Sequence, residues 1–178
     1  MSLLQRSMIL VTAVLCLSVI YVSADADVDA NCLGCMCEAA TRCNATTACH
    51  HSGGGYFCGP FHISWAYWAD AKKPVLLHDD PNRQGAFEDC AKDLYCSASV
   101  VRTYMKTFAQ KTEKGDCNGD GKIDCIDFAY MHRLGGYSCK DASFTKTAFY
   151  ERFMTCWKVV QEAMPQTTTS SSNSSSIS

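Results

Sequence analysis

Residues 116–127 read DCNGDGKIDCID and carry the most chemically specific spacing in the chain. Asp116, Asn118, Asp120, Asp124 and Asp127 stand at positions 1, 3, 5, 9 and 12 of a twelve-residue run, with the Lys122 carbonyl at position 7. Oxygen donors at those intervals can converge on one calcium ion, while Gly121 permits the sharp turn and Ile123 points inward. Acids crowded into so short a loop repel one another, and a cation is the natural remedy. The expectation is one structural calcium. A single loop suits stabilisation better than sensing, because sensors use paired loops that open a groove. Two features depart from the usual pattern. Asp127 is shorter than the Glu that binds bidentately at position 12, and Cys117 and Cys125 lie inside the loop.

A second stretch, TACHHSGGGYFCGPFHISWAYWAD at residues 47–70, gathers histidines, serines and aromatic rings around a run of three consecutive glycines. Its only acid is Asp70, at the far end. Ser52 beside His50 and His51 has the residue types of a nucleophile and base, but adjacency in sequence does not set the geometry such a pair needs. Tyr56, Phe57, Phe61, Trp65, Tyr67 and Trp68 offer faces that could stack on sugar rings or fill a core. The segment looks better suited to holding than to cutting.

The elements that must position these groups are mostly helical. Residues 30–42 are dense enough in Cys, Leu, Met and Ala for a buried first helix. Gly53, Gly54 and Gly55 break the chain, and YFCGPFHI after them predicts short strands or extended chain. Ser64 can cap a short helix running to Asp70. The run FEDCAKDLYCSASVVRTYMKTFAQ predicts one broken helix or two consecutive ones, with Val100, Val101, Tyr104, Met105 and Phe108 on one face. Phe149, Phe153, Trp157 and Val160 repeat at helical spacing. The expected fold class is α+β: one mostly helical, disulfide-rich domain over residues 25–164 with a minor β element.

Thirteen cysteines are present. Residues 1–24 have the basic start, short apolar core and small-residue exit of a cleaved secretory signal peptide, and Cys16 leaves with them. That leaves Cys32, Cys35, Cys37, Cys43, Cys49, Cys58, Cys90, Cys96, Cys117, Cys125, Cys139 and Cys156. An even set in an exported chain implies disulfides, whose pairing the sequence leaves open. A zinc reading of Cys32 and Cys35 lacks a second C-x-x-C. The tail PQTTTSSSNSSSIS, residues 165–178, is too polar to order itself. Asn44 and Asn173 stand in N-glycosylation sequons. A formal net charge of −2 gives no hint of nucleic acid, and no second segment is apolar enough to span a membrane. The expected location is extracellular.

The pieces CLGCMC, CGPFHISWAYWAD, CAKDLYCSASVVRTYM and CIDFAYMHRLGGYSC, with the pair Cys49 and Cys58, resemble the invertebrate-type lysozymes, also called the destabilase family. The likeness runs from about Cys32 to Cys156. It implies a lysozyme-like fold and a muramidase that hydrolyses bacterial peptidoglycan in defence or digestion. Two cysteines of the family pattern are absent together, at Ala71 and Val100, as one missing bridge would explain.

Glycan hydrolysis needs two carboxyl groups, one to protonate the leaving oxygen and one to stabilise or capture the sugar cation. At the positions where the resemblance places them, this chain has Ala40 and Ser52. Glu38 is two residues from Ala40, about 200° round a helix, and so faces away. A histidine such as His51 can move protons but does not replace an anionic carboxylate. The isopeptidase activity credited to some relatives needs a serine whose place is taken by Gly55, although His132 matches the family histidine. The expectation is a protein of this family that has lost muramidase activity and binds peptidoglycan or a related glycan through Tyr56, Phe61, Trp65, Tyr67 and Trp68. The alternatives are an active glycosidase with relocated carboxylates, drawn from Glu38, Asp70, Asp79 and Asp80, and a non-catalytic glycan-binding or structural extracellular protein.

Overall fold

The computed structural model describes residues 28–109 and 115–164. The expected leader and the tail with Asn173 lie outside them. Among these residues there are six α-helices and a small three-stranded sheet: α1 Ala30–Thr41, α2 Trp65–Asp70, α3 Ala86–Lys92, α4 Leu94–Ala109, α5 Cys125–Leu134 and α6 Ala148–Ala163. The strands are β1 His50–Ser52, β2 Gly55–Cys58 and β3 Ile63–Ser64.

Helix α1 is the central post. Asp29 caps it, its carboxylate accepting from the backbone N–H groups of Asn31 and Cys32 at 2.7 and 2.9 Å. The helix stops where Arg42 turns left-handed, and the Arg42 and Cys43 N–H groups close on the carbonyls of Glu38 and Cys37. Its buried residues Cys32, Leu33, Met36 and Ala39 form one side of the core. Helix α6 covers it with Phe149, Phe153 and Trp157, spaced by four so that they share a face.

The 86–109 segment forms two consecutive helices, as expected. The break falls at Asp93, which is extended and whose carboxylate accepts from Cys96 N–H at 2.7 Å to start α4. The five residues expected on one face of α4 are all buried. Ser64 caps α2 by accepting from Tyr67 N–H at 3.2 Å, and α2 ends at Asp70.

The sheet is antiparallel, in the order β1-β2-β3, with His50 opposite Phe57 and Phe57 opposite Ser64. The three glycines do more than break the chain. Gly53 and Gly54 both have positive φ, 55° and 82°, which makes the two-residue hairpin turn whose twist matches the strands. Gly59 is needed for a different reason: a Cβ there would lie 1.6 Å from the Ala91 carbonyl oxygen, so only glycine lets the β2–β3 turn rest on α3.

All twelve cysteines are paired. Cys32–Cys125 ties α1 to α5, and Cys35–Cys156 ties α1 to α6. Cys37–Cys43, Cys49–Cys58 and Cys90–Cys96 are local staples, and Cys117–Cys139 joins the two ends of the segment that contains α5. Cys35–Cys156 closes a separation of 121 residues, and a bridge over so long a loop contributes about 2–5 kcal/mol. Ala71 and Val100, where the family pattern has cysteines, are fully buried apolar residues. Among the described residues, no helix is long and apolar enough to cross a membrane.

Candidate functional site

A cleft of about 530 Å³ opens where the C-terminal end of α1, the β2–β3 region, α2, the end of α5 and the start of α6 meet. That volume is within the usual range for a small-ligand site, about 300–1,000 Å³. Its wall includes Ala40, His62, Asp70, His132, Arg133 and Arg152. Ala40 reaches it because α1 presents this half-buried position beside Ala39. Arg152 reaches it from α6, three residues after Phe149, and donates from Nε and Nη2 to the Ala39 carbonyl at 2.9 and 2.5 Å. A guanidinium is therefore anchored at the last turn of α1, on the carbonyl of the residue before Ala40.

Of the acids weighed from the sequence, Asp70 alone lines the cleft. Glu38 is half-buried on α1 and outside the lining. Asp79 is held by Arg83, which donates from Nε and Nη2 at 2.5 and 2.6 Å, and that bonding keeps its carboxyl below the usual carboxylate range. Asp80 is exposed and accepts from Asn82 N–H at 2.9 Å. Ser52 is exposed at the tip of β1 and does not line the cleft. His51 is exposed with its ring 5.0 Å from Tyr56.

His132 lines the cleft, but both ring nitrogens are engaged. Nε2 lies 2.9 Å from the Phe61 carbonyl, which can only accept, so Nε2 carries the proton. Nδ1 is then left to accept from the Tyr67 hydroxyl at 3.2 Å. Burial pushes the ring down to about 4, against the pull of the Phe61 carbonyl, so it is neutral at physiological pH. Its chemistry is that of a clamp joining the β2–β3 turn to α2. Tyr67 in turn stacks on Tyr104 at 3.6 Å, and the Tyr104 hydroxyl accepts from Gly136 N–H at 2.8 Å.

His62, which the sequence did not single out, faces His50 across the sheet, Nε2 to Nε2 at 3.0 Å, and stacks on Phe57. His50 directs Nδ1 at the Ala48 carbonyl, 3.2 Å away, so the proton between the two rings belongs to His62. Burial, with His50 and Arg133 nearby, lowers the His62 pKa.

The expected glycan-binding aromatics divide. Phe61 and Trp68 are each 2% exposed, and Trp68 donates to the Pro74 carbonyl at 2.6 Å. They fill the core and leave no face for a sugar, a correction to the sequence-based expectation. Tyr67 lines the cleft, although its ring is largely taken by the stack on Tyr104. Tyr56 and Trp65 are exposed, 38% and 56%, outside the cleft lining. Sequence reasoning missed Arg152 and Arg133. A cation flanking the apolar stripe of α6 was a visible signal, but its partner lies 113 residues away.

In the 116–127 loop, Asp116 accepts from the N–H groups of Gly119, Asp120 and Gly121, Asn118 from that of Asp120, and Asp120 from that of Lys122. This half has the side-chain-to-backbone turns that a calcium loop also uses. The last position does not fit. Asp127 is buried, its two oxygens accepting from the backbone of Cys117, Asn118 and Asp124, where it forms a capping box with Asp124. Cys117 and Cys125 are both bonded outside the loop. Among the described residues, no three His, Cys, Asp or Glu side chains converge as a metal site. Asn44 is exposed, and its side-chain oxygen accepts from the N–H and hydroxyl of Thr46.

A family model described as Destabilase matches residues 29–156. A lysozyme of Ostrea edulis is 32% identical over 138 residues, spanning 77% of this chain and 87% of its own length. A lysozyme of Meretrix lusoria is 30% identical over 116 residues, spanning 65% of this chain and 81% of its own. Among solved structures, an inhibitor-bound lysozyme from Meretrix lusoria superposes with a TM-score of 0.56 at 27% identity, covering 72% of this chain and 89% of that one. Tapes japonica lysozyme gives 0.52 at 26% identity, over 76% and 89%.

Proposed function

Because the chain belongs to the Destabilase family, the invertebrate-type lysozymes, we propose that it is a secreted protein that holds bacterial peptidoglycan in its cleft without hydrolysing it. The observation that carries this reading is the single acid of the cleft. Retaining glycosidases face two carboxyl groups about 5 Å apart, and inverting ones face them about 6.5–9.5 Å apart. Here Asp70 has no acidic partner in the lining, and the wall at Ala40 carries a methyl group with Arg152 beside it. General acid catalysis alone is worth about 10²–10⁴ in rate, and loss of the second group compounds that deficit.

Secretion is supported by six disulfides in so small a domain, which form and persist in oxidising compartments. The family likeness supports a defensive or digestive setting. Relocation of the catalytic pair draws no support from the cleft, since Glu38, Asp79 and Asp80 do not line it. Calcium in the 116–127 loop is a separate proposal, supported by the turns of residues 116–122 and opposed by the inward Asp127.

Sedimentation with insoluble peptidoglycan tests the holding role. The purified protein is expected in the pellet and to be released intact by excess soluble muropeptide, with no new reducing ends in the supernatant. Protein left wholly in the supernatant would reduce the role to an extracellular structural one.

A further inference from the structure

The cleft is cationic, unlike the acidic site that glycan hydrolysis demands. Two arginines line it, Arg133 from the last turn of α5 and Arg152 from α6, against one acid, Asp70. Among the described residues neither arginine forms an ion pair; the salt bridges found join Arg83 and Lys92 to Asp79 and Asp89, away from the cleft. His62 and His132 add no charge at neutral pH, since each is held neutral by its surroundings.

Arg152 is held in place as well as charged. Its Nε and one Nη2 hydrogen are spent on the Ala39 carbonyl. A guanidinium has five N–H donors in a fixed plane, so Nη1 and the second Nη2 hydrogen remain for a partner. Held at two points, the group gives up little side-chain freedom when a ligand arrives. Ala40, next in the chain to that carbonyl, clears the space where a longer side chain would compete. Two arginines that share an open concave wall match the planar oxygens of a carboxylate better than the hydroxyls of a neutral sugar.

We propose that Arg152 and Arg133 make the cleft a carboxylate-binding site, and that its ligand is the free carboxylate of a peptidoglycan fragment rather than its neutral sugar chain. The inference rests on the reading that the cleft holds peptidoglycan, and it names the group recognised. Asp70 sets the orientation by excluding the carboxylate from its own side of the wall.

A matched pair of probes tests this: N-acetylmuramyl dipeptide with its free carboxylate, and the same molecule with that group converted to the amide. Calorimetry at low salt should show the acid binding about tenfold or more tighter than the amide, the scale of one charge-assisted contact. The preference should shrink as sodium chloride is raised. Arg133→Gln, at an exposed residue outside the core, should remove most of the preference while leaving the melting temperature unchanged. Ala40→Glu should also remove it, because the new carboxylate occupies Arg152. Equal affinity for acid and amide, no measurable binding of the acid, or a preference that survives both variants would overturn the inference. Sedimentation with whole peptidoglycan, run alongside, separates the two levels. Binding there without any preference for the acid sinks only the carboxylate site, whereas no binding there sinks the holding role itself.

Discussion

A carboxyl group placed at position 40 would stand in the field of the Arg152 guanidinium, which is fixed on the neighbouring carbonyl. A general acid must keep its proton near neutral pH, and an adjacent cation drives the proton off. Position 52 lies outside the cleft lining. The double substitution Ala40→Glu with Ser52→Asp is therefore expected to leave lysis of bacterial cell walls at neutral pH at least about a hundredfold below that of an active relative, the low end of what general acid catalysis supplies. Full recovery in a turbidity assay would show that the identities at positions 40 and 52 alone set the activity. The identities at 40 and 52 were legible in the sequence, because they fall within short cysteine-bounded segments. The cation that now occupies the neighbourhood was not, because its contact joins elements from opposite ends of the domain. His132 supports a second expectation at this scale. Its pKa is lowered to about 4 in the folded protein, against about 6.5 in an unfolded chain. Between those values the unfolded chain binds the extra proton, so stability is present above pH 6.5 and is lost as pH falls towards 4. The full difference is worth roughly 3 kcal/mol. Urea midpoints should fall over that window, and His132→Gln should flatten the fall. An unchanged slope in the variant would place the acid sensitivity elsewhere.

The helices were legible where a polar cap or an apolar stripe marks them: Ser64 at the start of α2, and Phe149, Phe153 and Trp157 along α6. The sheet was legible only as short strands or extended chain, because strands of two to four residues leave too short a pattern to fix register. Disulfide pairing was not legible, since it depends on which helices meet. Aromatic residues were the least legible: Trp65 and Trp68 stand on one short helix, yet one is exposed and the other fully enclosed. The 116–127 loop carries the prediction at this scale. Its first half keeps the turns of a calcium loop, while Asp127 spends its carboxylate on capping α5. Calcium titration is expected to give one site with a dissociation constant of about 10⁻⁴–10⁻³ M, the weak range of extracellular modules, with a small rise in melting temperature that Asp116→Ala abolishes. Absence of any heat at ten times those concentrations would remove calcium from the protein. Micromolar binding would require Asp127 to turn outward.

At the scale of the whole molecule, bridges from α1 to α5 and to α6 keep the walls of the cleft in register. The covalent frame and the buried core that hold those walls do not depend on which side chains line the cleft. Fold and family were both open to a reader of the sequence, through cysteine spacing and a few aromatic segments. The meeting of Arg133 and Arg152 in one cleft wall was visible only once α1, α5 and α6 were brought together. The most direct measurement is release of reducing ends from purified bacterial cell walls by the protein, its Asp70→Asn and Glu38→Gln variants, and an active relative at equal concentration. The predicted result is that all three forms of this protein stay at the buffer baseline while the relative degrades the walls. Robust hydrolysis by the unaltered protein, lost in either variant, would contradict it.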